Sequence, residues 1–180
     1  MPPGHTVGPM PGESECIARS DLLERAWQFA YAAHEGERSR GDTRIEHPAA
    51  VARLLMREHA SDDLVAAALL HDVLEDTTVT RTELENAFGP GIANLVASLS
   101  EDPAIESYVQ RKRHLRLQVA RAGEDAAMIF LADKLASLNA LGGAVQKLPG
   151  PKLAHYRHTV ALLSRCYPAL PFVVELQAIL

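Results

Sequence analysis

The chain has 180 residues, enough for one domain with a sizeable core. Hydrophobic residues make up 47% and aromatics 5%, with Ala and Leu dominant, a mix that favours helices over strands. A net charge of -5 with no long basic run gives no support to nucleic-acid binding, and no apolar stretch approaches the ~18 residues of a membrane span.

Residues 1–15 are rich in Pro and Gly. They lack a basic segment followed by an apolar run, so they read as a flexible tail and not as a secretory signal. Residues 16–180 are expected to form one folded domain. Cys16 and Cys166 form no CxxC pair, and the expectation is two free thiols in a reducing cytoplasm.

Helical periodicity begins at Leu22, Leu23, Ala26, Phe29, Ala30 and Ala33, with Ser20 or Asp21 as a cap and Gly36 as a stop. A polar loop, ERSRGDTRIEHP, follows. Pro48 suits the first turn of the next helix. Asp62 and Asp63 are expected to open a helix continuing through Asp76. Thr80 and Glu83 form a capping-box pattern before LENAF. GPGIANLVASLS predicts another short helix, and residues of about 104–121 a basic amphipathic one. EDAAMIFLADKLASLNAL is mostly apolar and is expected to be central. Pro149, Gly150 and Pro151 interrupt the chain before two closing helices, near 152–165 and 169–179. No strand-like alternation of useful length occurs. The fold class is therefore all-α, a single helical bundle of roughly 8–10 helices.

The stretch LLHDVLEDT is out of keeping with its apolar setting. It gathers His71, Asp72, Glu75 and Asp76 within six positions. Ionised groups beside a core are costly unless they are paired or bind a metal. On a helix, His71 and Glu75 share one face, and Asp72 and Asp76 the adjoining one. His71 and Asp72 are two candidate ligands, and a metal site requires more. His47, beside Pro48 at a helix start, and Asp133, inside the apolar IFLADKL, are polar groups in unexpected places. Two His and two carboxylates suit Mn²⁺, Fe²⁺ or Zn²⁺. Such an ion polarises a phosphoryl oxygen and lowers the pKa of bound water. Taken singly, each residue also admits a plain reading: a core histidine, an Asp133 ion pair with Lys134 or Lys147, a solvated acidic turn.

The order H…HD…D on an all-α chain resembles the HD-domain metal-dependent phosphohydrolases. RIEHPAAVARLL, AAALLHDVLEDT, FGPGIANLV, QRKRHLRLQVARA and FLADKLASLNAL resemble the hydrolase domain of the RelA/SpoT proteins, which degrade (p)ppGpp. The short length is similar to that of stand-alone small alarmone hydrolases of the Mesh1 type. The resemblance implies an HD-domain fold with His47, His71, Asp72 and Asp133 as ligands to one divalent ion, usually Mn²⁺. It also implies that Glu75 and Asp76 position and deprotonate the attacking water. The implied reaction removes the 3′-pyrophosphate of (p)ppGpp, giving GDP or GTP and pyrophosphate. Arg38, Arg40, Lys112 and Lys134 are candidate phosphate or base contacts.

The nucleotide-contacting positions depart from the family pattern. Ser39, Thr43 and Arg44 replace residues common in the loop before His47, and Ser137 stands where an asparagine usually contacts the nucleotide. A different phosphorylated nucleotide as substrate, or a non-catalytic nucleotide-binding module, stays open on these residues. The expected partner is a small-molecule nucleotide, with no nucleic acid and no membrane.

Overall fold

The computed structural model describes residues 20–35 and 45–180. The expected tail of residues 1–15 lies outside these, as do Cys16, Arg38 and Arg40. The described residues form nine α-helical segments and one 3-10 turn, with no strand among them. Among the described residues, no helix is long and apolar enough to cross a membrane.

Helix α1 is Asp21–Glu35, α2 is Glu46–Arg57, and α3 is Asp62–Leu70. A four-residue helix α4, Val73–Asp76, precedes α5, Arg81–Leu99. Then come α6, Tyr108–Ala122, and α7, Glu124–Ala140. The 3-10 turn Val145–Lys147 leads to α8, Gly150–Cys166, and α9, Pro171–Ile179. The all-α expectation is met, and α7 is central as expected: it packs against α2, α3, α5, α6, α8 and α9. One continuous core extends from Leu23 in α1 to Leu176 in α9 and includes Leu55, Leu69, Ile129, Leu135, Leu163 and Phe172.

Local chemistry explains the boundaries. Helix α3 opens at Asp62 as expected, and Ser61 caps it, its hydroxyl accepting from the Leu64 N–H at 3.3 Å. The capping box at Thr80 and Glu83 forms as the sequence implies. The helix expected to run unbroken to Asp76 instead breaks at His71 and Asp72, and α4 ends where Thr77 turns extended. The Thr77 hydroxyl donates to the Val73 carbonyl at 2.7 Å and accepts from the Val79 N–H at 3.1 Å. The basic helix starts at Tyr108, later than expected. Arg111 donates to the carbonyls of Ile105 and Glu106, at 2.8 and 3.0 Å, and so holds that stretch as a loop.

Helix α5 joins the two helices expected around Phe88. The break lies at Gly89, whose φ of 80° and ψ of 166° are open to glycine but strained for an L side chain. Pro90 then starts the second half. Gly89→Ala is expected to cost about 1–3 kcal/mol in urea unfolding. Gly91→Ala, in open space at negative φ, is expected to change stability by less than about 1 kcal/mol. Equal midpoints for the two variants would refute the backbone account.

Candidate active site

The break after α3 brings the charged residues to one edge of the core. Leu64 to Leu70 are buried without interruption, and His71 follows at 6% exposure. The His71 Nδ1 lies 2.7 Å from the Ala68 carbonyl. A carbonyl only accepts, so Nδ1 carries the proton in this bond. In the neutral ring Nε2 is then the lone-pair nitrogen. Nε2 sits 3.0 Å from Asp72 Oδ1 but without the alignment of a hydrogen bond, and it has no hydrogen-bond partner.

The other two groups arrive from distant helices. His47, in the first turn of α2, places Nε2 at 2.9 Å from Oδ1 of Asp133 in α7. The His47 and His71 rings meet edge to face, with centroids 5.6 Å apart. One donor atom each from His47, His71 and Asp133 lies within 4.8 Å of the others, a spacing that a single cation can bridge. Asp72 joins this group through its contact with the His71 Nε2.

Electrostatics fit a cation. Burial opposes ionisation of Asp133, but the Lys134 ammonium and the hydrogen bond from His47 hold its carboxyl well below the usual range. Asp72 is likewise lowered, with His71 outweighing burial. Burial disfavours the charge on His71. The Asp72 and Asp133 carboxylates outweigh it and push the imidazole up to about 9. A buried lone-pair nitrogen facing two carboxylates thus attracts a proton, and a divalent ion satisfies the same donors. The residues present fit such an ion.

These groups line a cavity of about 490 Å³. Glu75, Lys112, Lys134 and Ser137 also line it, whereas Asp76 is exposed and does not. Burial raises the Glu75 carboxyl, and the N–H of Glu101 partly counters this. The cavity wall also carries cations. Lys134 is 6% exposed, pairs with Asp133, and lies 3.9 Å from the Phe130 ring centre. Lys112 pairs with Glu101. Asn139 is exposed and lies in a separate groove with Ala50 and Arg53.

Several lining residues escaped the sequence reading: Glu101, Tyr108, Lys152, His155 and Tyr156. His155 is 4% exposed, and Arg116 donates to its Nδ1 at 2.8 Å, which leaves the proton on Nε2. Burial and the surrounding Lys134, Lys112 and Arg116 pull it down to about 2. Burial pushes the Tyr156 phenol up, beside Ser137 in the cavity wall. The adjacent His155 and Tyr156, buried in an otherwise polar helix start, were the available signal. Glu101 offered none, because its role comes from α6 folding back over it.

A family model described as HD domain matches residues 26–159, and the chain belongs to the HD-domain family. Among relatives, the guanosine-3′,5′-bis(diphosphate) 3′-pyrophosphohydrolase MESH1 of Danio rerio is 35% identical over 131 residues, covering 70% of this chain and 72% of the relative. The Mus musculus protein of the same name is 38% identical over 127 residues, covering 68% and 70%. The GTP pyrophosphokinase rsh of Brucella melitensis is 37% identical over 128 residues, which cover 67% of this chain and only 17% of that relative. A solved structure described as a metazoan ortholog of SpoT that hydrolyses ppGpp superposes with a TM-score of 0.73 at 24% identity, over 89% of this chain and 94% of that one. A crystal structure from Listeria monocytogenes superposes with a TM-score of 0.65 at 28% identity, over 74% and 90%. The resemblance read from the motifs is thereby borne out.

The proton on His71 has a consequence for metal-free protein. Its folded-state value of about 9 exceeds the ordinary 6.5, so its stabilisation is complete below pH 6.5 and is lost as pH rises through about 9. His155 is depressed, so its influence falls below its ordinary 6.5 and outside that window. Chelator-treated protein is expected to show a urea midpoint that declines between about pH 6.5 and 9, and His71→Gln to lack the decline. A flat wild-type profile would show that His71 holds no extra proton.

Proposed function

We propose that this chain is a metal-dependent phosphohydrolase that removes the 3′-pyrophosphate of (p)ppGpp, producing GDP or GTP and pyrophosphate. The observation that carries the reading is the convergence of His47, His71 and Asp133, with Asp72, in the wall of a cavity that Lys112 and Lys134 also line. The names of the MESH1 relatives support it. In this reading residues 16–180 form the catalytic domain and 1–15 its tail, in the cytoplasm.

His47, His71, Asp72 and Asp133 would hold one divalent ion, Mn²⁺ by preference, with Fe²⁺ or Zn²⁺ compatible with the same donors. When bound, the ion supplies Lewis acidity toward a phosphoryl oxygen and lowers the pKa of water. Glu75, in the cavity wall, accepts the proton of the attacking water. Its raised pKa makes it a stronger base than an ordinary glutamate. Asp76 lies off the wall, so the proton-accepting step is assigned to Glu75 alone. Lys134 and Lys112 offset charge on the phosphates as the bond to the 3′ oxygen breaks. Ser137, in the cavity wall, contacts the nucleoside, with Arg38 and Arg40 gripping phosphate or base from the polar loop.

A second reading has one specific support. Ser137, in the cavity wall, stands where the family has an asparagine and offers a shorter side chain. That favours an HD hydrolase acting on another phosphorylated nucleotide, with the same metal chemistry.

The decisive assay incubates the protein with Mn²⁺ and ppGpp and measures GDP and pyrophosphate. Metal-dependent release is expected, with none from His71→Ala. Release from other phosphorylated nucleotides but not ppGpp would select the second reading. Glu75→Gln is expected to retain Mn²⁺ and lose about 10²-fold or more in kcat. Full activity in that variant would remove Glu75 from the water-activating role.

A further inference from the structure

The segment between α5 and α6 carries a group whose contacts converge on Glu75. The backbone N–H of Glu101 donates to Oε1 of Glu75 at 2.6 Å. The Glu101 side chain, 15% exposed, lines the cavity. One of its oxygens accepts from Arg111 Nε and the other from Lys112 Nζ. Arg111 in turn donates to the carbonyls of Ile105 and Glu106. Gln118, two turns along α6, donates to the carbonyls of Ser98 and Ser100 at 3.0 and 2.9 Å. Side chains of one helix thus pin the whole segment, and the Glu101 carboxylate is the anchor nearest to the N–H that meets Glu75.

The arrangement matters because Glu75 has little else to hold it. It lies on a four-residue helix, and among the described residues its side chain has no other hydrogen bond than the one from Glu101. A glutamate has several rotatable bonds, and restricting them costs up to about 2 kcal/mol of entropy. A backbone donor selects one orientation only if that donor is itself immobile. The charge of Glu101 would be out of place otherwise. A carboxylate in the wall of a cavity for phosphates repels the ligand, and it also raises the proton affinity of Glu75. A clamp that served only the fold would work equally well away from the cavity.

We propose that Glu101 is a positioning residue: by anchoring its own backbone to Arg111 and Lys112, it presents the N–H that orients the Glu75 carboxylate toward the attacking water. The inference rests on the water-activating role given to Glu75 above. It also assigns Lys112 two partners, Glu101 in the free protein and phosphate in the complex.

The test is a double-mutant cycle with Mn²⁺-loaded protein and ppGpp, following kcat, KM, bound Mn²⁺ and the urea midpoint. Glu101→Ala is expected to lower kcat about tenfold with Mn²⁺ retained and KM not raised. Glu101→Gln, which keeps one acceptor, is expected to lose less, about threefold. In a Glu75→Gln background neither change slows the residual turnover further, because the residue they act through is already disabled. Wild-type kcat in Glu101→Ala alongside an inactive Glu75→Gln overturns the proposal alone. The same holds if the two losses multiply, which is the mark of general loosening. Full turnover in Glu75→Gln overturns the role of Glu75 and this inference with it. If Glu101→Ala shows no unfolding transition, Glu101→Gln decides by the same criteria.

Discussion

The functional end of the bundle depends on one hydrogen bond, from the His71 Nδ1–H to the Ala68 carbonyl. Carbonyls in the last turn of a helix have no intrahelical partner and require one from elsewhere. Here the imidazole supplies it, where α3 ends inside the core. The same bond fixes the ring orientation and turns Nε2 toward Asp72, Asp133 and His47. Ending the helix and aiming the ligand are therefore one event. An apolar residue at position 71 would leave the carbonyl without this partner and the two carboxylates facing each other.

Charge compensation extends that constraint into α7. Asp133 stands in a helix whose neighbouring residues, Leu131, Ala132, Leu135 and Ala136, are all buried. A carboxylate there is tolerable only beside cations, and it has Lys134 on one side and His47 on the other. Lys134 is itself almost fully buried and needs both that carboxylate and the Phe130 face. The pair is thus structural within the core and chemical at the cavity. Lys134 also bears on His155, which stays neutral because burial, and then the charges of Lys134, Lys112 and Arg116, disfavour its protonation.

The result is a cavity whose wall carries both donors for a cation and fixed cations. A phosphorylated ligand held there would bring its own negative charge to both. Glu101, in the same wall, is paired with both Lys112 and Arg111.

Much of this was legible in the linear chain. Ala- and Leu-rich periodicity determined an all-α fold, since only helices bury that pattern. The capping box at Thr80, the proline-led start of α8 and the central place of α7 follow from local rules that act over a few residues. The four candidate ligands stood out because acids and histidines in apolar surroundings are costly. What the chain order could not convey depends on distance in space. The break at His71 arises from a ring–carbonyl bond in place of helix continuation. Asp76 falls off the cavity, although it is adjacent to Glu75, because α4 has barely one turn before Thr77 redirects the chain. Glu101, His155 and Tyr156 acquire their places from the packing of α6 and α8 over the cavity. Sequence marked the four candidate ligands, because burying charge is expensive wherever it occurs. Tertiary structure decided which of them meet, because that depends on the angles at which helices cross.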